Sequence, residues 1–284
     1  MADHSIDPNM MLGHVALTIS NLDRSIEFYR DVLGFQVREK VDGVAHLSAG
    51  NEDIVVLQEN PQARRVRGTT GLYHFAVLVP SRVELAKSLR RLTETRWPLQ
   101  GFADHLVSEA IYLPDPDGNG IEIYRDRPRS EWPRLNGQIR MATDPLDLDG
   151  VVAELDGHDE AWTGLHPQTR LGHMHLQVGN LPQANTFYGE VIGLDLVTRF
   201  GRSALFMSAG GYHHHLGLNT WAGVGAPPPP PDAIGLRYFT IKLPQSNEVG
   251  ALADRARESG GSIEETEHGV LLHDPFQNGV LVIS

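Results

Sequence analysis

The chain has no cysteine, which excludes disulfides, thiolate-bound zinc and cysteine nucleophiles together. Basic residues are in deficit, with 24 Lys and Arg against 36 Asp and Glu and a formal net charge of −12 over 284 residues. A nucleic-acid partner would need clustered Lys and Arg to neutralise phosphates, so this balance argues against one. Aromatics are sparse at 7%. No run approaches the ~20 apolar residues that a membrane helix requires. The opening segment MADHSIDPNMM has neither the basic head nor the apolar stretch of a secretory signal. The expectation is a soluble, cytoplasmic protein of about two ordinary domains, with no membrane partner. Histidine is the residue that stands out, with 14 in all.

The chain repeats itself. Leu12 to Leu22 (LGHVALTISNL) returns as Leu171 to Leu181 (LGHMHLQVGNL), and Phe28-Tyr29 returns as Phe187-Tyr188. His14 and His173, like Gly34 and Gly193, are 159 residues apart (173 − 14 and 193 − 34). Asp115-Pro-Asp-Gly-Asn-Gly120 corresponds to Asp274-Pro-Phe-Gln-Asn-Gly279, and Gly71-Leu-Tyr-His74 to Gly235-Leu-Arg-Tyr238. Two homologous halves follow.

Each half divides again. His14 to Ile19 alternates like a strand, and Asp23 to Leu33 has a helical apolar face that Gly34 stops. Gln36 to Arg38, Ala45 to Ser48 and Ile54 to Gln58 predict three short strands, completing a βαβββ unit. A second unit has a strand at Tyr73 to Val79, a helix at Arg82 to Glu94 and a last strand at Ile121 to Tyr124. The scheme restarts at His173 and at Leu236. The predicted class is α+β, with four tandem βαβββ units paired into two half-open barrel domains. The expected boundaries are 1–126 for the first domain, 127–169 for a linker and 170–284 for the second. The linker carries a helical stretch near Leu148 to Leu155 and is expected to wrap the first domain. Pro227 to Pro231 is a stiff connector. Gly118-Asn119-Gly120 and Gln277-Asn278-Gly279 are hairpin signals. Core or linker packing is the expected place of Trp97, Trp132, Trp162 and Trp221, with the lining of an aromatic substrate pocket as the alternative.

Tandem βαβββ units opening on GHVALTISNLDRSIEFYRDVLGF (Gly13 to Phe35) resemble the vicinal oxygen chelate superfamily. The likeness is strongest to its extradiol ring-cleavage dioxygenases of the catechol 2,3-dioxygenase type. It implies a metal held by one His opening the first unit, one His opening the second and a Glu on the second unit's last strand. In the first half those places hold His14, His74 and Glu122. Two imidazoles and a carboxylate are the donors of non-haem iron(II) oxygenases, with Mn(II) as the alternative ion. Residues His105 to Glu122 (HLVSEAIYLPDPDGNGIE) resemble the family's ring-cleavage signature, departing only at Ala103, two before the His. The resemblance makes His105 and Tyr112 the pair that contacts substrate hydroxyls and oxygen. His105 would take a proton and Tyr112 would donate to a substrate oxygen.

The second half breaks the pattern. Tyr238 stands where His74 stands and Leu281 where Glu122 stands. It nevertheless carries His173, His175 and the run His213-His214-His215, a candidate second site. Alternation sets His213 and His215 on one face and His214 on the other. The family often has a further His on the corresponding strand of an active module's first unit, where the first half has Ile54-Val55-Val56 instead. With the first half as sole catalytic module, the His213–His215 run is expected to be dispensable. The expected partners are a catechol and O2, with homo-oligomerisation left open. A glyoxalase-I-like lyase with Glu59 as an additional ligand is the alternative, and a non-catalytic binding protein the third reading.

Overall fold

The computed structural model describes residues 5–158 and 160–284. Four βαβββ modules follow one another. The first comprises β1 (Met11–Ile19), α1 (Leu22–Glu27), β2 (Gln36–Val41), β3 (Val44–Ser48) and β4 (Asp53–Glu59). The second comprises β5 (Gly71–Leu78), α2 (Arg82–Glu94), β6 (Gly101–Asp104), β7 (Ser108–Pro114) and β8 (Gly120–Asp126). Between the second and third modules lie a small hairpin, β9 (Arg134–Leu135) with β10 (Gln138–Ile139), and α3 (Leu148–Ala153). The third module holds β11 (Arg170–Gln177), α4 (Leu181–Thr186), β12 (Asp195–Phe200), β13 (Ala204–Ser208) and β14 (Leu216–Asn219). The fourth holds β15 (Gly235–Lys242), α5 (Ser246–Glu258), β16 (Ile263–Glu265), β17 (Val270–His273) and β18 (Gly279–Ile283).

Local chemistry accounts for these elements. The Asn21 side chain accepts from the Arg24 N–H at 2.8 Å and Asn180 from the Gln183 N–H at 3.0 Å, so the same cap starts α1 and α4. Both helices widen into a π-helical turn, Phe28–Val32 and Phe187–Ile192. The expected helix over Asp23 to Leu33 is therefore α-helical only in its first half. Gly34 and Gly193 end these turns at φ +88° and +96°, where an L side chain would be strained. In α2, Leu85, Leu89 and Leu92 bury one face at helical spacing.

The turns before β8 and β18 share one knot. Buried Asp115 accepts from the backbone N–H groups of Asp117 and Asn119 and from the Asn119 and Tyr29 side chains. Asp274 accepts in the same way from Phe276, Asn278 and Tyr188. This doubled device is the structural content of the two hairpin signals.

The α+β class and the four modules are as expected, but their pairing is not. One eight-stranded sheet runs β16-β17-β18-β15-β1-β4-β3-β2 and the other β12-β13-β14-β11-β5-β8-β7-β6. The first module thus shares a sheet with the fourth, and the second with the third. Pairing within each half, as the repeat suggested, is corrected. The physical reason is that each module offers the same open edge, its apolar first strand, to any other. The sequences Gly13-His14-Val15 and Gly172-His173-Met174 are near-equivalent there, so local pattern cannot specify the partner.

By contacts the chain falls into two compact units. One takes in the chain up to Leu17, Arg64–Tyr73 and His173–Ser284, and the other Thr18–Ala63 and His74–Gly172. In the latter, the segment after β8 binds back onto the second module. Asp104 and Asp144 exchange backbone hydrogen bonds at 2.9 Å, and Arg82 donates to the Gly150 carbonyl at 3.0 Å.

Candidate metal centre

His74 lies on β5 and Glu122 on β8, strands that pair in parallel with Ala76 opposite Glu122. Side chains two apart on a strand share a face, so His74 and Glu122 meet. Nε2 of His74 is 3.1 Å from Oε2 of Glu122, with the residues 6% and 2% exposed. On the next strand Tyr112 sits directly opposite Glu122 in antiparallel register, and its ring centroid is 5.6 Å from that of His74.

His105 belongs to the tight turn between β6 and β7. Leu106 adopts φ +68° there, and its N–H is taken by Asp104 Oδ1 at 2.8 Å. The imidazole is held at both nitrogens: Nδ1 is 2.7 Å from the Ala142 carbonyl and Nε2 is 2.6 Å from the Tyr112 hydroxyl. A carbonyl oxygen only accepts, so Nδ1 carries the hydrogen. In the neutral ring Nε2 then accepts from Tyr112. The Tyr112 hydrogen therefore points to His105, which bears on the expected role of Tyr112 as the donor to a substrate oxygen.

His14, the third expected ligand, is not in this group. It lies on β1 against Tyr238, with ring centroids 5.7 Å apart, and 3.4 Å from the Thr240 hydroxyl. The ligand atoms of His74, Glu122 and His173 instead all lie within 4.8 Å of one another, and all three residues are buried. His173 takes the place expected of His14 because β5 neighbours β11 in the sheet, not β1. Next to His173, Gly172 has no room for a side chain, since an added Cβ would fall 1.9 Å from the Tyr124 hydroxyl.

Of the other second-half histidines, His214 packs against His173, and among the described residues they belong to no second cluster of metal-donor atoms. The His214 ring is 4.2 Å from that of His173, and Nδ1 of His214 is 2.8 Å from Nδ1 of His213. His213 and His215 both pack on Tyr212, at 4.1 and 4.8 Å, but the run precedes β14 and is not strand, so the expected alternation of faces does not apply to it. His214 packs on a member of the donor group, which speaks against reading the run as unconnected to that group.

Register also locates an absence. Ala76, two residues after His74, pairs with Glu122, whereas His175, two residues after His173, pairs with Gly217. The place related to Glu122 therefore has no side chain, and an added Cβ would come within 2.9 Å of the His175 ring. In the fourth module the same place holds Leu281, opposite Thr240. Glu59, the candidate additional ligand, accepts from the Leu22 N–H at 2.9 Å and so serves the start of α1.

Four βαβββ modules with a buried group of two imidazoles and a carboxylate define a protein equipped to hold one metal ion. The chain belongs to the Glyoxalase/Bleomycin resistance protein/Dioxygenase superfamily, whose model matches residues 11–123 and 170–275. A Bacillus subtilis (strain 168) protein named catechol-2,3-dioxygenase is 49% identical over 282 residues, covering 98% of this chain and 98% of its own length. Among solved structures, a putative dioxygenase from Bacillus subtilis superposes with a TM-score of 0.64 at 14% identity, covering 95% of this chain and 84% of that one. Glyoxalase I from Zea mays gives 0.60 at 16% identity, covering 97% and 92%. These two likenesses concern the fold alone. No helix among the described residues is long and apolar enough to cross a membrane.

Proposed function

We propose that the chain is an Fe(II)-dependent extradiol dioxygenase that opens a catechol ring beside its paired hydroxyls and adds both atoms of O2. The observation that carries the reading is the buried group of His74, His173 and Glu122, whose ligand atoms lie within 4.8 Å of one another. The donor chemistry fits the ion, since neutral imidazoles and one carboxylate suit Fe(II) and leave open positions. Mn(II) accepts the same donors. When bound, the ion would supply a charge sink and a template for the two catechol oxygens and O2.

The chain's own residues handle the proton and the water. A catechol hydroxyl set against the Tyr112 oxygen gives its proton there as Tyr112 passes its own to Nε2 of His105. His105, still donating from Nδ1 to the Ala142 carbonyl, then carries the positive charge. Burial of His74, Glu122, His173 and His214 keeps bulk water from the reacting edge of the ring. The lyase alternative requires a second carboxylate, and Gly217 stands at the related place while Glu59 caps α1.

The test is iron content measured alongside turnover. Wild-type protein loaded with Fe(II) is expected to consume one O2 per catechol and yield the yellow ring-opened product. Glu122→Ala and His173→Ala should each lose most of the bound iron, and His14→Ala should keep it. Full iron in His173→Ala with loss in His14→Ala would overturn the ligand set.

A further inference from the structure

From His173 a series of aromatic rings leads to the surface. The His214 ring is 4.2 Å from His173 and 4.9 Å from Phe206, and Phe206 is 5.7 Å from His175. His175 in turn meets Tyr73 at 5.1 Å and Trp221 at 5.3 Å, and these two stand edge to face at 5.0 Å. The inner members His173, His175 and His214 are buried, whereas Tyr73 is 41% and Trp221 46% exposed. Trp221 therefore departs from its expected place in core or linker packing. Trp97 and Trp132 keep theirs, each donating its indole N–H to a carbonyl of the fold.

Exposure does not leave Trp221 loose. Its backbone N–H donates to the side chain of buried Asn219 at 2.9 Å, and its indole N–H donates to the Ser203 hydroxyl at 3.1 Å. An indole fixed at both ends yet half open to solvent forgoes burial energy that a core Trp collects. What it gains is a stacking face that needs no ordering when a ligand arrives. Gly217 makes room for the wall by leaving the His175 ring space to lie across β14. Ring contacts run without a break from the proposed donor His173 through His214, Phe206 and His175 to Trp221.

We propose that Trp221 and Tyr73 determine substrate choice by stacking against an aryl substituent of the catechol, so that phenyl-sized apolar substituents are preferred over none. The inference rests on the dioxygenase reading for the identity of the ring that reacts. The mechanism is ordinary. An aromatic face recognises a ring edge or face at centroid distances of about 4.5–7 Å.

The experiment compares catechol with a phenyl-substituted catechol in wild type, Trp221→Ala and Trp221→Phe. For Trp221→Ala the ratio of kcat/KM, phenyl-substituted over unsubstituted, should fall about tenfold, carried by KM, and Trp221→Phe should restore most of it. Direct binding of the phenyl-substituted catechol, read by tryptophan quenching, should lose a component in Trp221→Phe. An unmoved ratio, or equal loss on both substrates, would overturn the proposal. Quenching that includes the Trp221 component in a wild-type protein without ring-opening activity would retain the wall and sink the dioxygenase reading. Equal quenching in wild type and Trp221→Phe would sink the wall.

Discussion

The Tyr112 hydroxyl has one hydrogen to give, and the Ala142 carbonyl decides where it goes. By requiring the hydrogen on Nδ1 of His105, that carbonyl leaves Nε2 to accept, and in the proposed reaction Tyr112 would relay a proton between substrate and imidazole. Removing the hydroxyl cuts the relay without touching His74, His173 or Glu122. Tyr112→Phe should therefore lower kcat on the order of 10²-fold or more, the usual scale for an acid–base group. Iron content should stay at the wild-type level. Fluctuation of kcat within about twofold would show that protons leave by another route. Single residues were largely legible in the sequence at this scale. The structure brings His74, Glu122, His105 and Tyr112 close together, because strand register and a short hairpin fix their relation. His173 was visible as the repeat of His14, but its membership in the donor group was not.

That difference belongs to the elements. Helix α2 spans the expected Arg82 to Glu94, and its Ser81 cap and leucine stripe are both local features. Strand partners were unreadable because β1, β5, β11 and β15 present similar edges, and a choice among similar edges leaves no periodicity to detect. Long-range ion pairs were hidden for the same reason. Glu109 on β7, buried at 1% exposure, accepts from Arg125 at 2.6 Å, Arg82 at 2.9 Å and Arg127 at 3.2 Å. Those arginines come from β8, the start of α2 and the segment after β8. Arg82 also reaches Gly150 and Glu154 around α3, and Arg127 holds Asp104 beside the His105 turn. Deleting the carboxylate would leave three guanidinium groups facing one another in a site with little water. Glu109→Ala should cost about 3–5 kcal/mol of unfolding free energy in a urea titration, the scale for breaking a buried pair. A loss under about 1 kcal/mol would show that solvent already screens the cluster.

Across the whole molecule the two halves repeat one more device, and its titration is a test of the fold itself. Tyr29 and Tyr188 are fully buried and donate to Asp115 and Asp274 at 3.2 and 3.0 Å. Burial first, and the neighbouring carboxylate second, push both phenols well above their ordinary value of about 10. A folded-state value above the unfolded one means the contribution is fully present below about pH 10 and is lost as pH rises towards the folded value. Above about pH 10 the unfolded chain ionises both phenols while the folded chain holds their protons. Each tyrosine should then draw off up to about 1.4 kcal/mol of stability per pH unit. Melting curves from pH 8 to 11 should show the wild-type Tm falling more steeply than that of the Tyr29→Phe, Tyr188→Phe double variant. The variant should begin lower at pH 8, because Asp115 and Asp274 each lose a donor. Parallel curves above pH 10 would mean that the two phenols ionise without unfolding the modules, against the burial that defines both knots.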